Sequence, residues 1–297
     1  ISRGPDPLEG DGNRLNQGSL KRIGKWRVQN EEYICDFGKP DIFWPVSIAV
    51  DSHGYVYCSE ESQHKILKYD SDGLKVDEWG ELGTGIGTFS APAGLAFDSD
   101  DNMYIVDAGN HRIQKYSPAR EIITVWGSQG SDNNQFEDPW GITIDNNGLV
   151  YVADWGNNRV QKFTPDGEYL QTFGLEHPKE LKLNHPSDVA VDSDGDVYIT
   201  DWGNKRVQIF DADGDVLCNL HGDAIEFNQA SLKVFAANPD YRKGFDRASD
   251  RATLGLFDRP VGIAIDENNR ILICETNRCR VQVYDKLKDY SDAAVNL

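Results

Sequence analysis

Four prolines, Pro45, Pro92, Pro139 and Pro186, stand 47 residues apart each time, and a fifth, Pro260, follows after 74. This period restricts the fold more than any other feature, because a unit recurring every 20–50 residues or so stacks on copies of itself and cannot bury its apolar face alone. Six residues after each proline comes an acid, Asp51, Asp98, Asp145, Asp192 or Asp266, which closes an apolar run such as SIAV, GLAF or GITI. Fifteen after comes a second acid (Glu60, Asp107, Asp154, Asp201, Glu275), and twenty after comes a cation (Lys65, Arg112, Arg159, Arg206, Arg280). The cation opens a third strand whose aromatic lies 24 after the proline (Tyr69, Tyr116, Phe163, Phe210, Tyr284), and a fourth strand ends in Trp79-Gly80, Trp126-Gly127 or Phe173-Gly174. Four short strands separated by Gly, Asp and Asn turns make an antiparallel sheet too small to be stable by itself. Stacked radially, such sheets bury both faces and leave only short edges.

The stretch GITIDNNGLVYVADWGNNRVQKFTPDG and its echoes resemble the NHL repeat family of β-propellers. The resemblance covers residues 45–222 and 259–285, with D-x-x-N-x-R intact in three copies and altered to EESQHK in the first and ETNRCR in the last. It implies an all-β propeller of four-stranded antiparallel blades, a single domain over residues 1–297, with six blades expected and five as the alternative. Residues 1–44 are then a degenerate first blade; with five blades, YICDFG instead completes the last blade and closes the ring. Between Gly222 and Pro260 the connection spans 38 residues against the usual 12, so 223–258 is an insertion between blades, partly helical by the look of SLKVFAAN.

With 30 basic and 49 acidic residues the net charge is −19, and a surface that negative repels nucleic-acid phosphates and anionic membranes. No run approaches the ~18 apolar residues that span a bilayer, and the start ISRGPDP, without Met, suggests a trimmed chain that is soluble and of unknown compartment, with a module of a larger protein as a further reading. The five cysteines lack the spacing of a disulfide scaffold; free thiols are expected, with Cys274–Cys279 the one pair that could bond.

Function is sought where the repeats differ. One residue after the prolines stand Val46, Ala93, Trp140, Ser187 and Val261, and sixteen after stand Glu61, Ala108, Trp155, Trp202 and Thr276. These positions belong to one end of the propeller, so Trp44, Trp140, Trp155, Trp202, His185, His111 and, from the insertion, Tyr241 and Arg242 form a candidate binding face. Exposed indoles suit stacking on sugars, rings or peptide side chains. The expectation is a non-catalytic, monomeric propeller that binds a protein, a peptide or a small molecule such as a sugar beside a lid-like insertion. The recurring Asp and Arg read as turn scaffolding, since chemistry normally occurs once. Asp192, Asp194 and Asp196 resemble part of a calcium loop but lack its further ligands, so a polar hairpin turn is the preferred reading. The repeat class is shared with the peptidyl-hydroxyglycine amidating lyases, which hold zinc with histidines just after the proline. Here those places hold no histidine, and no cofactor is expected. The rival reading is a zinc- or calcium-dependent lyase or hydrolase working at the central channel, with His185 or His111 on the metal.

Overall fold

The computed structural model describes residues 22–27, 32–38, 41–175, 178–222, 256–277 and 280–286, together with isolated positions between 232 and 243. A hairpin, β1 (Ile23–Arg27) and β2 (Glu32–Phe37), precedes the first blade, β3 (Pro45–Val50), β4 (Val56–Glu60), β5 (Lys65–Tyr69) and β6 (Lys75–Trp79). The second comprises β7 (Pro92–Phe97), β8 (Met103–Asp107), β9 (Arg112–Tyr116) and β10 (Ile122–Trp126), and the third β11 (Pro139–Ile144), β12 (Val150–Asp154), β13 (Arg159–Phe163) and β14 (Tyr169–Phe173). The fourth is β15 (Pro186–Val191), β16 (Val197–Asp201), β17 (Arg206–Phe210) and β18 (Val216–Leu220); the fifth is β19 (Pro260–Ile265), β20 (Arg270–Glu275) and β21 (Arg280–Asp285). Every blade is an antiparallel meander in chain order. Each proline begins an innermost strand, which has no ladder partner on its free side, so the missing N–H costs no hydrogen bond there.

The packing explains the period. Apolar side chains from two consecutive blades form each core cluster: Ile66 and Tyr57 with Leu95 and Phe89, Val106 and Trp126 with Phe136 and Ile142, Ala153 and Phe173 with Val189 and Leu183, Tyr198 and Ile209 with Ile263 and Phe257. Each large apolar side chain so buried stabilises by about 1.5–3 kcal/mol. At the opposite corner of each blade the acid six after the proline starts a tight turn. Asp145 Oδ1 accepts the N–H groups of Asn147 and Leu149 at 2.8 and 2.9 Å, and its Oδ2 accepts the Tyr151 hydroxyl at 3.2 Å. Asp98 and Asp192 repeat the arrangement with Tyr104 and Tyr198.

Five blades are described, the smaller of the two counts anticipated: among the described residues ahead of Pro45 there is one hairpin rather than a four-stranded sheet. That hairpin does not complete the last blade either: β2 pairs with β1, and Ile23, Phe37 and Ile42 pack on Cys58, Leu67 and Tyr69 of the first blade, as a preceding blade would. Among the described residues the outer faces of the terminal blades stay open. Ile48 and Val50 are 43% and 55% exposed and Val281 and Val283 are 54% and 47% exposed, whereas their counterparts Leu95 and Val207 are buried. Of the insertion, Leu232, Ala236, Ala237, Asp240 and Lys243 are helical, Asn238 and residues 256–258 are described outside any helix, and the rest of the anticipated helix and lid lies outside the described residues. Cys35, Cys58, Cys218 and Cys274 carry free thiols; Cys279 lies outside the described residues. No helix among the described residues is long and apolar enough to cross a membrane.

The calcium-like loop holds an ammonium group. Lys286, just past the fifth blade, reaches back to the fourth and places Nζ 2.5, 2.7 and 2.9 Å from carboxylate oxygens of Asp192, Asp194 and Asp196. The three acids form the polar turn expected, and a cation from the next blade holds them together.

Candidate functional site

Two segments of every blade meet at one end of the propeller: the lead-in that stops at the proline, and the turn joining the second and third strands. Register brings them together, with Pro139 opposite Asp154 and Pro186 opposite Asp201. The recurring acid and arginine build this end. Asp154 Oδ1 accepts the Glu137 N–H of the lead-in at 2.8 Å, while Oδ2 accepts Asn157 Nδ2 at 2.9 Å and Arg159 Nε at 2.8 Å. Arg159 donates onward to the lead-in carbonyls of Ser131, Asp132 and Gln135. Asp107 with Arg112 and Asp201 with Arg206 repeat the same network. Burial pushes the Asp154 and Asp201 carboxyls up, and the asparagine, backbone and arginine donors pull them down. Every donor and acceptor is spent on holding a loop, so this machinery is scaffolding.

The scaffold bends the backbone into a conformation uncommon for residues with side chains. His64, His111, Asn158 and Lys205, closing successive turns, have φ between 53° and 58°, and Ala91, Asp138, His185 and Arg259, each before a proline, have φ between 50° and 60°. Recurring from blade to blade, these conformations belong to the scaffold.

Side chains that do not repeat line up along this end. Trp155 of the third blade's turn packs against His185 of the fourth blade's lead-in, with ring centroids 4.1 Å apart and the planes tilted by 55°. His185 lies 6.3 Å from Trp202 of the fourth blade's turn, Trp155 lies 6.3 Å from the same indole, and the Arg259 guanidinium, from the fifth blade's lead-in, covers Trp202 at 5.0 Å. His185 is tethered through its backbone N–H to Asn158 Oδ1 at 2.8 Å and through Nδ1 to Asn184 Oδ1 at 2.6 Å. The sequence comparison of the repeats therefore picked out two members of a contiguous group, Trp155 and Trp202, and the proposed face already included a third, His185. It missed Arg259, although the residue stands one before Pro260 as His185 stands one before Pro186.

The other candidates are placed differently. Trp44 is half-exposed in the first blade's lead-in, where its N–H is held by Glu60. Trp140 is half-buried as the second residue of the innermost strand β11, not in a turn. His111 closes the second blade's turn beside Glu137 and Asp138. Tyr241 and Arg242 lie outside the described residues.

The innermost strands carry one unusual acid. Two residues after the prolines stand Ser47, Gly94, Gly141, Asp188 and Gly262. The Asp188 carboxylate accepts the Ile263 N–H of the next blade and its neighbour's Val189 N–H, both at 3.0 Å. Burial pushes its carboxyl up to about 7, against the pull of those two donors. Its folded value lies above the unfolded value of about 3.9, so the native state holds the extra proton and its stabilising effect is lost as pH rises between about 4 and 7. At about 1.4 kcal/mol per unit this amounts to a few kcal/mol. Urea midpoints measured from pH 4.5 to 8 should fall more steeply for the native chain than for Asp188→Asn; parallel curves would show that Asp188 is not held protonated.

The family model of the NHL repeat matches residues 89–116, 136–163, 183–210 and 257–284, each running from the lead-in aromatic or leucine to the end of a third strand. No curated protein sequence matches the chain. Among solved structures, a streptogramin B lyase matches with TM-score 0.58 at 16% identity, over 89% of this chain and 72% of that one. Virginiamycin B lyase from Staphylococcus aureus matches with TM-score 0.53 at 17% identity, over 82% and 70%. A chain of a nidogen/laminin complex matches with TM-score 0.56 at 13% identity, over 89% and 90%. At these identities the likeness is one of fold, and the three span both lyases and a complex of two proteins.

Proposed function

The chain is an NHL-repeat β-propeller, and from that we propose that it works by binding, presenting the Trp155–His185–Trp202–Arg259 group to a peptide or to a small ligand with a ring or sugar face. The observation that carries this reading is that aromatic and cationic side chains converge where the repeat leaves its positions free. The equivalent places in other blades hold Glu61, Ala108 and Thr276, so the fold does not require indoles there. Two indoles, an imidazole and a guanidinium offer stacking faces and a cation, the combination that dominates protein recognition surfaces. Asn158, Asn184 and the left-handed backbone hold the group in place, which lowers the entropy lost on binding.

Tryptophan fluorescence titrated with a panel of aromatic tripeptides, monosaccharides and disaccharides tests the proposal. At least one class should quench saturably, and Trp155→Ala and Trp202→Ala should each weaken that ligand by about tenfold while shifting stability by no more than about 1 kcal/mol. If both substitutions instead unfold the domain, the indoles are core and the reading fails.

A further inference from the structure

At the junction of the second and third blades, His111 closes one turn while Glu137 and Asp138 lead into Pro139, and one ligating atom from each lies within 4.8 Å of the other two. A point within about 2.8 Å of all three therefore exists (4.8/√3). Imidazole and carboxylate hold zinc at about 2.0–2.2 Å, so inward movements of about 0.7 Å would complete the contacts.

Neighbouring junctions show what this position does when its role is only structural. His64 Nδ1 accepts the Ala91 N–H at 3.0 Å, and Asn158 Oδ1 accepts the His185 N–H at 2.8 Å, each latching a turn to the next blade's lead-in. Among the described residues His111 makes no such latch: its Nδ1 is shielded from solvent and has no hydrogen-bond partner. A shielded polar atom left bare costs about 1–3 kcal/mol, so the arrangement is incomplete as it stands. What differs at this junction is the lead-in, which supplies two consecutive carboxylates where the others supply Ser90-Ala91 and Asn184-His185. Glu137 is also held from two sides, its N–H by Asp154 at 2.8 Å and its two carboxylate oxygens by Gln129 Nε2 at 3.4 Å. Supporting contacts of this kind orient metal ligands.

We propose that His111, Glu137 and Asp138 bind one divalent transition-metal ion of the zinc type. Two carboxylates and a neutral imidazole balance a double positive charge, and nitrogen with oxygen donors suits zinc. Three protein ligands leave a coordination position open to an oxygen of a bound molecule. The site adjoins the aromatic group, because Gly156, next to Trp155, donates its N–H to the Glu137 carbonyl at 2.8 Å. The assignment holds whether or not that group binds an organic ligand.

Zinc alone is the probe. Metal-free protein competed against a chromophoric chelator should take up one ion per chain. His111→Asn and Asp138→Asn should each weaken uptake by at least about 10- to 100-fold, the range seen when metal sites lose only supporting groups, whereas His64→Asn at the purely structural latch should not. The backbone tolerates the first change, since Asn158 holds the equivalent place with φ 57° against 53° for His111; circular dichroism melts verify folding, and Asp138→Asn, at an exposed side chain, carries the test should His111→Asn misfold. No zinc uptake, or uptake that the folded variants leave unaltered, overturns the assignment.

Discussion

Asp154→Ala is expected to destabilise the domain by about 3–5 kcal/mol, read as a drop in the urea midpoint. The carboxylate is fully buried and its partner Arg159 is 4% exposed, so removing the anion leaves a guanidinium sealed inside the protein with only carbonyls for company. Water cannot reach it to compensate, which is why breaking a buried pair costs far more than an exposed one is worth. Asp154→Asn separates the two contributions: the amide keeps the shape but loses the charge and turns donors toward Arg159, so most of the loss should remain. Asp154→Ala, unlike Asp154→Asn, also frees the Glu137 N–H, and with it the lead-in carrying Glu137 and Asp138. A variant within 1 kcal/mol or so of the native chain would show that the repeated acid is dispensable and that the blade corners are held by packing alone.

Lys286→Met should have the second largest effect, a loss of about 2–4 kcal/mol, because it leaves three carboxylates facing one another with Asp192 almost wholly buried. The Lys286 ammonium is held charged well above its ordinary range by those acids, against the opposing effect of burial. The reason this cation comes from another blade is visible in the repeats. Lys68, Lys115 and Lys162 sit 23 residues after their prolines, and Lys68 and Lys115 lie 4.0 and 3.7 Å from the turn acids of their own blades. The fourth blade has Ile209 there, buried in the core, and Lys286 supplies the missing charge. Restoring the repeat pattern with Ile209→Lys in the Lys286→Met background should therefore recover part of the lost stability. Two losses that simply add would mean that the lysines are independent of each other.

Much of this was legible in the chain. The 47-residue spacing predicts where each strand begins, and the structure starts every inner strand at Pro45, Pro92, Pro139, Pro186 or Pro260. The turn role of Asp145 and its equivalents and the scaffolding role of Asp154 with Arg159 follow from their recurrence in every blade. Trp155 and Trp202 stood out because they break the repeat. By the same logic Ile209 was a signal for Lys286 and was overlooked, since its meaning lay in a residue 77 positions away.

Periodicity is a local property, and the sequence by itself determined what local interactions control: strand positions, turn chemistry, the face of each sheet that is buried, and the end of the blade that is free to vary. The tertiary structure decided what depends on separate segments meeting. It set that five blades and one hairpin form among the described residues, placed Arg259 over Trp202, filled the Asp192 turn with Lys286, and brought His111 to Glu137 and Asp138. The reason is physical: a strand is specified by the pattern of its own residues, whereas a contact between blades depends on angles and loop paths accumulated over tens of residues, which no motif encodes.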